Sequence, residues 1–447
     1  MYQKIIDLTN KIEDKIISQR RDFHKYAESG WFEMRTSSII AGKLADMGYK
    51  VLTGTDVCES DARMGLPSED ELKEHYQWAA DNGADLRFLE AAKGGFTGVI
   101  GILDCGEGPT VAMRFDIDAL GVIENKGENH KPYKCGFSSV NDGVMHACGH
   151  DGHASIGLGV AEVLMNIRDA LHGKVKLIFQ PAEEGVRGAR AIVEKGHLND
   201  VDYLLASHIS DRENDEGSDL IPGSYGSLAT SKYDVYYYGK SVHAGGSPEK
   251  GDNVMLSAAT AILNLHAIPR HSGGITRINV GKVTAGTGRN VIPDQAKMEI
   301  EVRGETSEIN EYVKEYALRI IDAAAKMHNS LCEIKAMGGA QPLNSDDELA
   351  LKVKDVCEKN LKEIKVSSIL KSKNSGSEDV SYMMKRVQDN GGQATFMRFL
   401  TSTAAPAHAR AFDFEEEVLA KGIKVFSILA YDILKDFNNN HIERQLI

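Results

Sequence analysis

One nine-residue stretch, Met145-His146-Ala147-Cys148-Gly149-His150-Asp151-Gly152-His153, packs three histidines, a cysteine and an aspartate between glycines. Singly, such residues belong as a rule to core or surface. Together, Cys148 and His150 sit two apart on a Gly-punctuated turn and can aim a thiolate and an imidazole at one point, a soft-to-borderline metal site of the kind zinc, manganese or cobalt accepts. Glu183 and Glu184 follow Gln180-Pro181 at the end of an apolar run. Adjacent side chains at a strand-to-loop transition point in opposite directions, so Glu184 is expected to bind metal while Glu183 faces substrate as general base. His208 ends a further apolar run, and His408 lies in the loop Pro406-Ala407-His408-Ala409-Arg410. Cys148, His150, Glu184, His208 and His408 are together enough for two divalent cations, each keeping an open position. A water shared between two such cations is acidic enough to attack an amide near neutral pH.

A scaffold must bring these groups to one edge. Strand patterns at 97–103, 110–115, 174–180 and 203–207 recur, and the last three run into Asp116-Ile117-Asp118, Pro181-Ala182-Glu183-Glu184 and His208. Open α/β sheets place ligands at the C-terminal ends of their strands, which makes Asp118 a candidate for orienting a ligand histidine. A small-residue helix is expected at 154–165. Residues 5–49 read as two helices broken near Ser29-Gly30, with His24 as a supporting group, and 56–94 as a polar helical insertion with Ser68 as a cap. Past Gly217 the texture changes. Strands at 227–238, 276–283, 296–303 and near 331–336, with helices at 253–268 and 308–328, give a split βαβ order. A last helix is expected at 414–437. The fold class that follows is α/β: a phosphorylase/hydrolase-like dimetal catalytic domain with helices around a mixed sheet, in two parts, 1–226 and 341–447. An α+β ferredoxin-like domain, 227–340, is inserted between them.

The 447 residues carry a formal charge of −13 and 42% hydrophobic residues, with a pI near 5.6. No basic stripe for a nucleic acid is present, and no apolar run approaches the roughly 18 residues of a membrane span. Six cysteines without paired spacing fit a reducing compartment. The expectation is a cytoplasmic protein with neither nucleic acid nor membrane as partner.

The 145–153 stretch, Gln180-Pro181-Ala182-Glu183-Glu184-Gly185, His243-Ala244-Gly245, Asn290-Val291-Ile292-Pro293, Gly376-Ser377-Glu378-Asp379 and the residues from His408 to Phe412 occur in an order that resembles the metal-dependent aminoacylase and carboxypeptidase G family of amidohydrolases. The resemblance spans nearly the whole chain. It implies a dimetal catalytic domain with the same five ligands, with Glu183 as base, and an inserted lid that also forms a dimer interface. It implies two manganese or zinc ions, with cobalt as an alternative. It further implies that His243 reaches from the lid into the neighbouring subunit's site and steadies the developing oxyanion. Arg277 stands where carboxypeptidase relatives carry a carboxylate-gripping arginine, with Asn290 and then Lys232 as further candidates. Within the family, 20–24, 26–31, 63–67, 94–98 and 177–179 resemble hydrolases of p-aminobenzoyl-glutamate. The implied reaction yields p-aminobenzoate and glutamate; acyl-aspartates such as auxin conjugates, acetyl-amino acids and dipeptides are the alternatives. The implied assembly is a homodimer through the lid, or a heteromer with a homologous B subunit. Carboxypeptidase relatives have an aspartate where Cys148 stands, which shifts metal preference toward softer ions. The stretch Arg114-Phe115-Asp116-Ile117-Asp118 lacks their histidine, whose place His150 takes.

Overall fold

The computed structural model describes residues 1–212, 217–374 and 376–435, and its contacts divide the chain into two units. The larger is built from Met1–Tyr225, Asn344–Asn374 and the residues from Asp379 on; the smaller is Gly226–Leu343 with the short stretch ending at Glu378. In chain order the strands are β1 (Lys50–Thr53), β2 (Val99–Asp104), β3 (Thr110–Asp116), β4 (Lys174–Gln180), β5 (Tyr203–Asp211), β6 (Leu220–Ile221) and β7 (Gly223–Tyr225) in the larger unit. The smaller unit holds β8 (Ala229–Tyr238), β9 (Thr276–Ala285), β10 (Gln295–Gly304) and β11 (Leu331–Ala340), and the chain returns to the larger for β12 (Lys371–Lys373) and β13 (Gln393–Thr401).

The main sheet has the order β1-β2-β4-β3-β5-β13-β6. Its central strands β4, β3, β5 and β13 are parallel, and antiparallel strands flank them. Every residue of β3 is buried, as expected of a parallel strand covered on both faces. Phe115 on β3 packs against Phe179 (5.6 Å) and against Phe426 of the C-terminal helix (5.1 Å). The helix His150–Met165 lies so close to the sheet that a Cβ on Gly157 would come within 2.6 Å of Phe179 and 2.7 Å of Phe115.

Several boundaries differ from the sequence expectation. The helix expected from 154 begins at His150, capped by Gly149 at φ 88°; glycines at 149 and 152 disguise its first turn. Strand β5 continues past Ser207 to Asp211 because β13 pairs with it along its whole length, so His208 lies within the strand, opposite Arg398. The last helix runs Glu417–Leu434, and the expected residues 436 and 437 lie outside the described residues. In the insertion, Ser68 and Glu71 form the capping box of helix Glu69–Asp81, and Leu72, Ala79, Leu89 and Ala92 make a small core with Met34.

The smaller unit runs β-α-β-β-α-β, with an antiparallel sheet of order β11-β8-β10-β9, the ferredoxin-like arrangement. Its helices, Val254–His266 and Ser307–Met327, share one core with Val235, Met298 and Val302. No helix among the described residues is long and apolar enough to cross a membrane.

Candidate metal and catalytic site

The parallel strands of the main sheet deliver the candidate ligands to one edge. Asp118 follows β3, Glu183 and Glu184 follow β4, His208 lies near the end of β5 and His408 follows β13. Cys148 Sγ lies 3.3 Å from His208 Nε2. Glu184 Oε1 lies 3.7 Å from His408 Nε2 and 4.0 Å from His150 Nε2. Ligand atoms come within 4.8 Å of one another in the trios Cys148/His150/His208, Cys148/Glu184/His408 and His150/Glu183/Glu184. Donors about 2.0–2.3 Å from one tetrahedral cation stand roughly 3.3–3.8 Å apart, so these spacings fit, and Cys148 is common to the first two trios.

The outer hydrogen bonds fix the imidazoles for that task. His150 Nδ1 donates to the Asp118 carbonyl at 2.9 Å, while its Nε2 is buried without a hydrogen-bond partner. Such an orphaned lone pair, with the opposite nitrogen tied to a carbonyl, is the arrangement of a metal-binding histidine. His208 shares the tied nitrogen, donating from Nδ1 to the Ile209 carbonyl at 2.5 Å, while its Nε2 faces Cys148 Sγ. His153 differs: its Nε2 accepts from Ile209 N at 2.9 Å and its Nδ1 donates to Asp116. Both nitrogens are committed, so His153 holds β5 and Asp116 in place. Burial works against an imidazolium at His150, yet the charge of Asp116 and the hydrogen bond to the Asp118 carboxylate, 3.3 Å from Nδ1, outweigh it and raise its pKa; a cation answers the same negative field. Burial pushes the Cys148 thiol up, so a thiolate near neutral pH requires a cation beside it.

Strand alternation does not extend to Glu183 and Glu184. β4 ends at Gln180, and Ala182 turns the chain through φ 50°, so the pair lies in a turn and both carboxylates converge on His150 instead of pointing apart. Three buried carboxylates accept the N–H groups of this turn. Glu33 takes Ala182 N (2.7 Å), Asp118 takes Glu183 N (3.1 Å) and Glu184 N (2.9 Å), and Asp379 takes Gly188 N (3.0 Å) and Ala189 N (2.9 Å). Burial, then the charge of Asp118, pushes Glu33 up to about 8. Burial pushes Asp379 up to about 7 in spite of Arg114. His408 has φ 67°, and its N–H reaches the Ala147 carbonyl at 2.8 Å, tying its loop to the Cys148 segment. Behind the site, Arg20 pairs with Asp151 (2.8 Å) and Asp413 (2.7 Å), and His24 pairs with Asp151 (2.8 Å) and Glu124 (3.0 Å).

Four of the sequence candidates lie in the smaller unit. The loops of His243 and Asn290 are zipped together by Ala244 N to Asn290 O (3.0 Å) and Ile292 N to Val242 O (2.9 Å). His243 is exposed and its Nδ1 accepts from Gly245 N at 3.1 Å, which leaves the ring proton on Nε2 as an outward donor. Arg277, exposed on β9, donates to the carbonyl of Thr276 at 2.8 Å. Lys232 is half-buried on β8, opposite Glu301.

Sequence reasoning gave no role to Asp116, His153, Glu33 or Arg20. The signal for Asp116 and His153 was present, an aspartate closing a buried strand and a histidine one helical turn after Gly149. Glu33 and Arg20 act only through long-range contacts.

Fold and site together define a metal-dependent amidohydrolase. The model of peptidase family M20/M25/M40 matches residues 112–432. The chain is 45% identical over 419 residues to the indole-3-acetyl-aspartic acid hydrolase of Enterobacter agglomerans, with 92% of this chain and 94% of that one covered. It is 42% identical over 430 residues to the A subunit of the p-aminobenzoyl-glutamate hydrolase of Escherichia coli, covering 95% and 97%. The crystal structure of the aminobenzoyl-glutamate utilization protein from Klebsiella pneumoniae superposes with a TM-score of 0.82 at 38% identity, covering 95% and 97%. The chain belongs to peptidase family M20/M25/M40.

Proposed function

We propose that this chain hydrolyses the amide bond joining an aromatic acyl group to an acidic amino acid, p-aminobenzoyl-glutamate first, giving p-aminobenzoate and glutamate. The observation that carries this is the convergence of Cys148, His150, Glu184, His208 and His408 beside Glu183, joined to relatives whose names give acyl-glutamate and acyl-aspartate substrates. The five ligands would hold two divalent ions, manganese or zinc, with cobalt as an alternative. When bound, the ions supply Lewis acidity and lower the pKa of water. Glu183 takes the proton of the attacking water and returns it to the departing amine. The smaller unit is the lid and dimer interface, and its His243 donates from Nε2 to the developing oxyanion of the neighbouring subunit's site. Arg277, with Asn290, grips the carboxylates of the amino acid. Free cysteines throughout suit a cytoplasmic setting.

A second reading, favoured by the 45% relative, makes indole-3-acetyl-aspartate the better substrate. The test is hydrolysis of both conjugates, and of N-acetyl-alanine, by the purified chain stripped with chelator and reloaded with manganese, zinc or cobalt. Metal-dependent cleavage abolished by Glu183→Ala is expected. Cleavage that needs an added homologous B subunit would assign the activity to a heteromer, and none with any metal or partner overturns the proposal.

A further inference from the structure

The turn that carries Glu183 and Glu184 is held from two sides. Its N–H groups are taken by the three carboxylates of Glu33, Asp118 and Asp379, all supplied by the main body of the larger unit. On the carbonyl side Arg187 acts. Arg187 donates from Nε to Glu184 O at 2.8 Å and from Nη1 to Gly65 O at 3.1 Å, and its own N–H closes the turn onto Ala182 O at 3.0 Å. Gly65 belongs to the 56–94 insertion. Its segment is itself fixed: Trp31 Nε1 donates to Met64 O at 2.8 Å, and Arg63 donates to Gly94 O at 2.6 Å while its guanidinium stacks 3.5 Å above the Phe96 ring. A second strut joins the insertion to the far side of the turn, Glu59 N to Ala191 O at 3.0 Å.

The turn needs such support. Ala182 at φ 50° and Val186 at φ 61° are non-glycine residues in the left-handed region, each costing about 1–3 kcal/mol and persisting only where surroundings over-determine them. Both flank the two glutamates. Arg187 also depends on an absent side chain: a Cβ on Gly30 would run into Arg187 Nη2 and lie 3.0 Å from Ala182.

We propose that Arg187 is a positioning residue for the Glu183-Glu184 turn, and that the 56–94 insertion acts on catalysis through it. This rests on the roles given above to those glutamates. The guanidinium fits because it alone offers two divergent donors at fixed separation, one for each carbonyl. Lysine can serve one carbonyl and glutamine neither at that reach.

The test measures Mn²⁺ binding by the apo chain in calorimetry, beside kcat and KM, for wild type, Arg187→Lys, Arg187→Gln, Gly30→Ala and the Arg187→Gln/Gly30→Ala pair. Arg187→Gln is expected to weaken the Mn²⁺ equivalent that involves Glu184 by about 10–100-fold, the usual cost of losing an outer-shell partner. It should lower kcat with KM nearly unchanged. Arg187→Lys should recover part of both losses, and Gly30→Ala, which displaces the guanidinium without removing it, should reproduce them. The pair should lose less than the product of the two single effects, because once the guanidinium is gone the added Cβ meets only Ala182. Trp31→Phe, which frees the Met64 carbonyl, should move Mn²⁺ affinity in the same direction by less. Variants that bind Mn²⁺ and turn over like wild type, or whose losses follow only a lowered melting temperature and multiply in the pair, overturn the proposal. If wild type takes up no Mn²⁺ the same series is measured with Zn²⁺ and Co²⁺, and a wild-type chain that binds none of the three overturns the underlying functional reading and this inference with it.

Discussion

Replacing Arg20 with methionine removes the one cation shared by three carboxylates behind the site. Arg20 is fully buried, with Asp151 at 2.8 Å, Asp413 at 2.7 Å and Glu416 at 3.4 Å. The three do not suffer equally. Glu416 keeps Arg21 (2.7 Å) and Lys131 (3.2 Å), and Asp151 keeps His24 (2.8 Å). Asp413, almost wholly buried, has Arg20 as its only ion pair among the described residues. The loss is therefore close to that of one buried carboxylate stripped of its partner, about 3–5 kcal/mol, a large share of the roughly 5–15 kcal/mol that stabilises an ordinary domain. The pH dependence carries a sign. Burial opposes ionisation of Glu416, but the bond from Arg21 and the charges of Arg20 and Lys131 hold its carboxyl down at about 2. That lies below the roughly 4.3 of an unfolded glutamate. Its contribution is thus fully present above the unfolded value and is lost as pH falls toward 2. The deficit of Arg20→Met should be largest at pH 7–8 and shrink below about pH 4. Urea unfolding followed by the two tryptophans, Trp31 and Trp78, reports on the larger unit, where both lie. A loss under about 1 kcal/mol at pH 7.5, or a deficit that grows on acidification, would refute this account, and Asp413→Asn in the Arg20→Met background should recover part of the loss.

Glu183→Gln should lower kcat by about 10²–10⁴-fold while Mn²⁺ binding persists; a variant with near-normal turnover removes Glu183 as the base. His243→Ala should lower kcat by about 10²–10³-fold without altering cation affinity. Mixing inactive Glu183→Ala and His243→Ala chains should restore activity if His243 serves the neighbouring subunit, whereas no recovery in a proven mixed dimer places its action elsewhere. Arg277→Ala should raise KM for an acyl-glutamate far more than for an acyl-alanine, and equal losses on both would sink its role in selecting acidic amino acids.

The fold was readable wherever local pattern and tertiary setting agreed. The β-α-β-β-α-β order of the smaller unit shows plainly because each strand there has one buried face, and the strands of the main sheet show as nearly continuous apolar runs because both faces are covered. The candidate ligands were readable because Cys148, His150 and Glu184 stand in glycine-rich breaks after such runs. What escaped depended on geometry with no period. The first turn of helix His150–Met165 was hidden by glycines, and the left-handed Ala182 abolished the alternation that would have pointed Glu183 and Glu184 apart. Nor does sequence show that His153 spends both nitrogens on protein partners, since Ile209 and Asp116 are distant along the chain.

The pairing of β13 with β5 has a consequence for synthesis. β5 carries His208, and its outer edge stays open until β13 emerges from the ribosome, roughly 180 residues later, which at about 5–20 residues per second is on the order of 10–40 seconds. In that interval the smaller unit, a nearly continuous segment whose sheet is entirely its own, can fold on the nascent chain. The larger unit waits with an unpaired, apolar strand edge of the kind that invites wrong partners. The larger unit is therefore the one that should lean on chaperones, and slowing translation between the codons for β5 and β13 should lower the yield of soluble protein more than slowing it within the smaller unit.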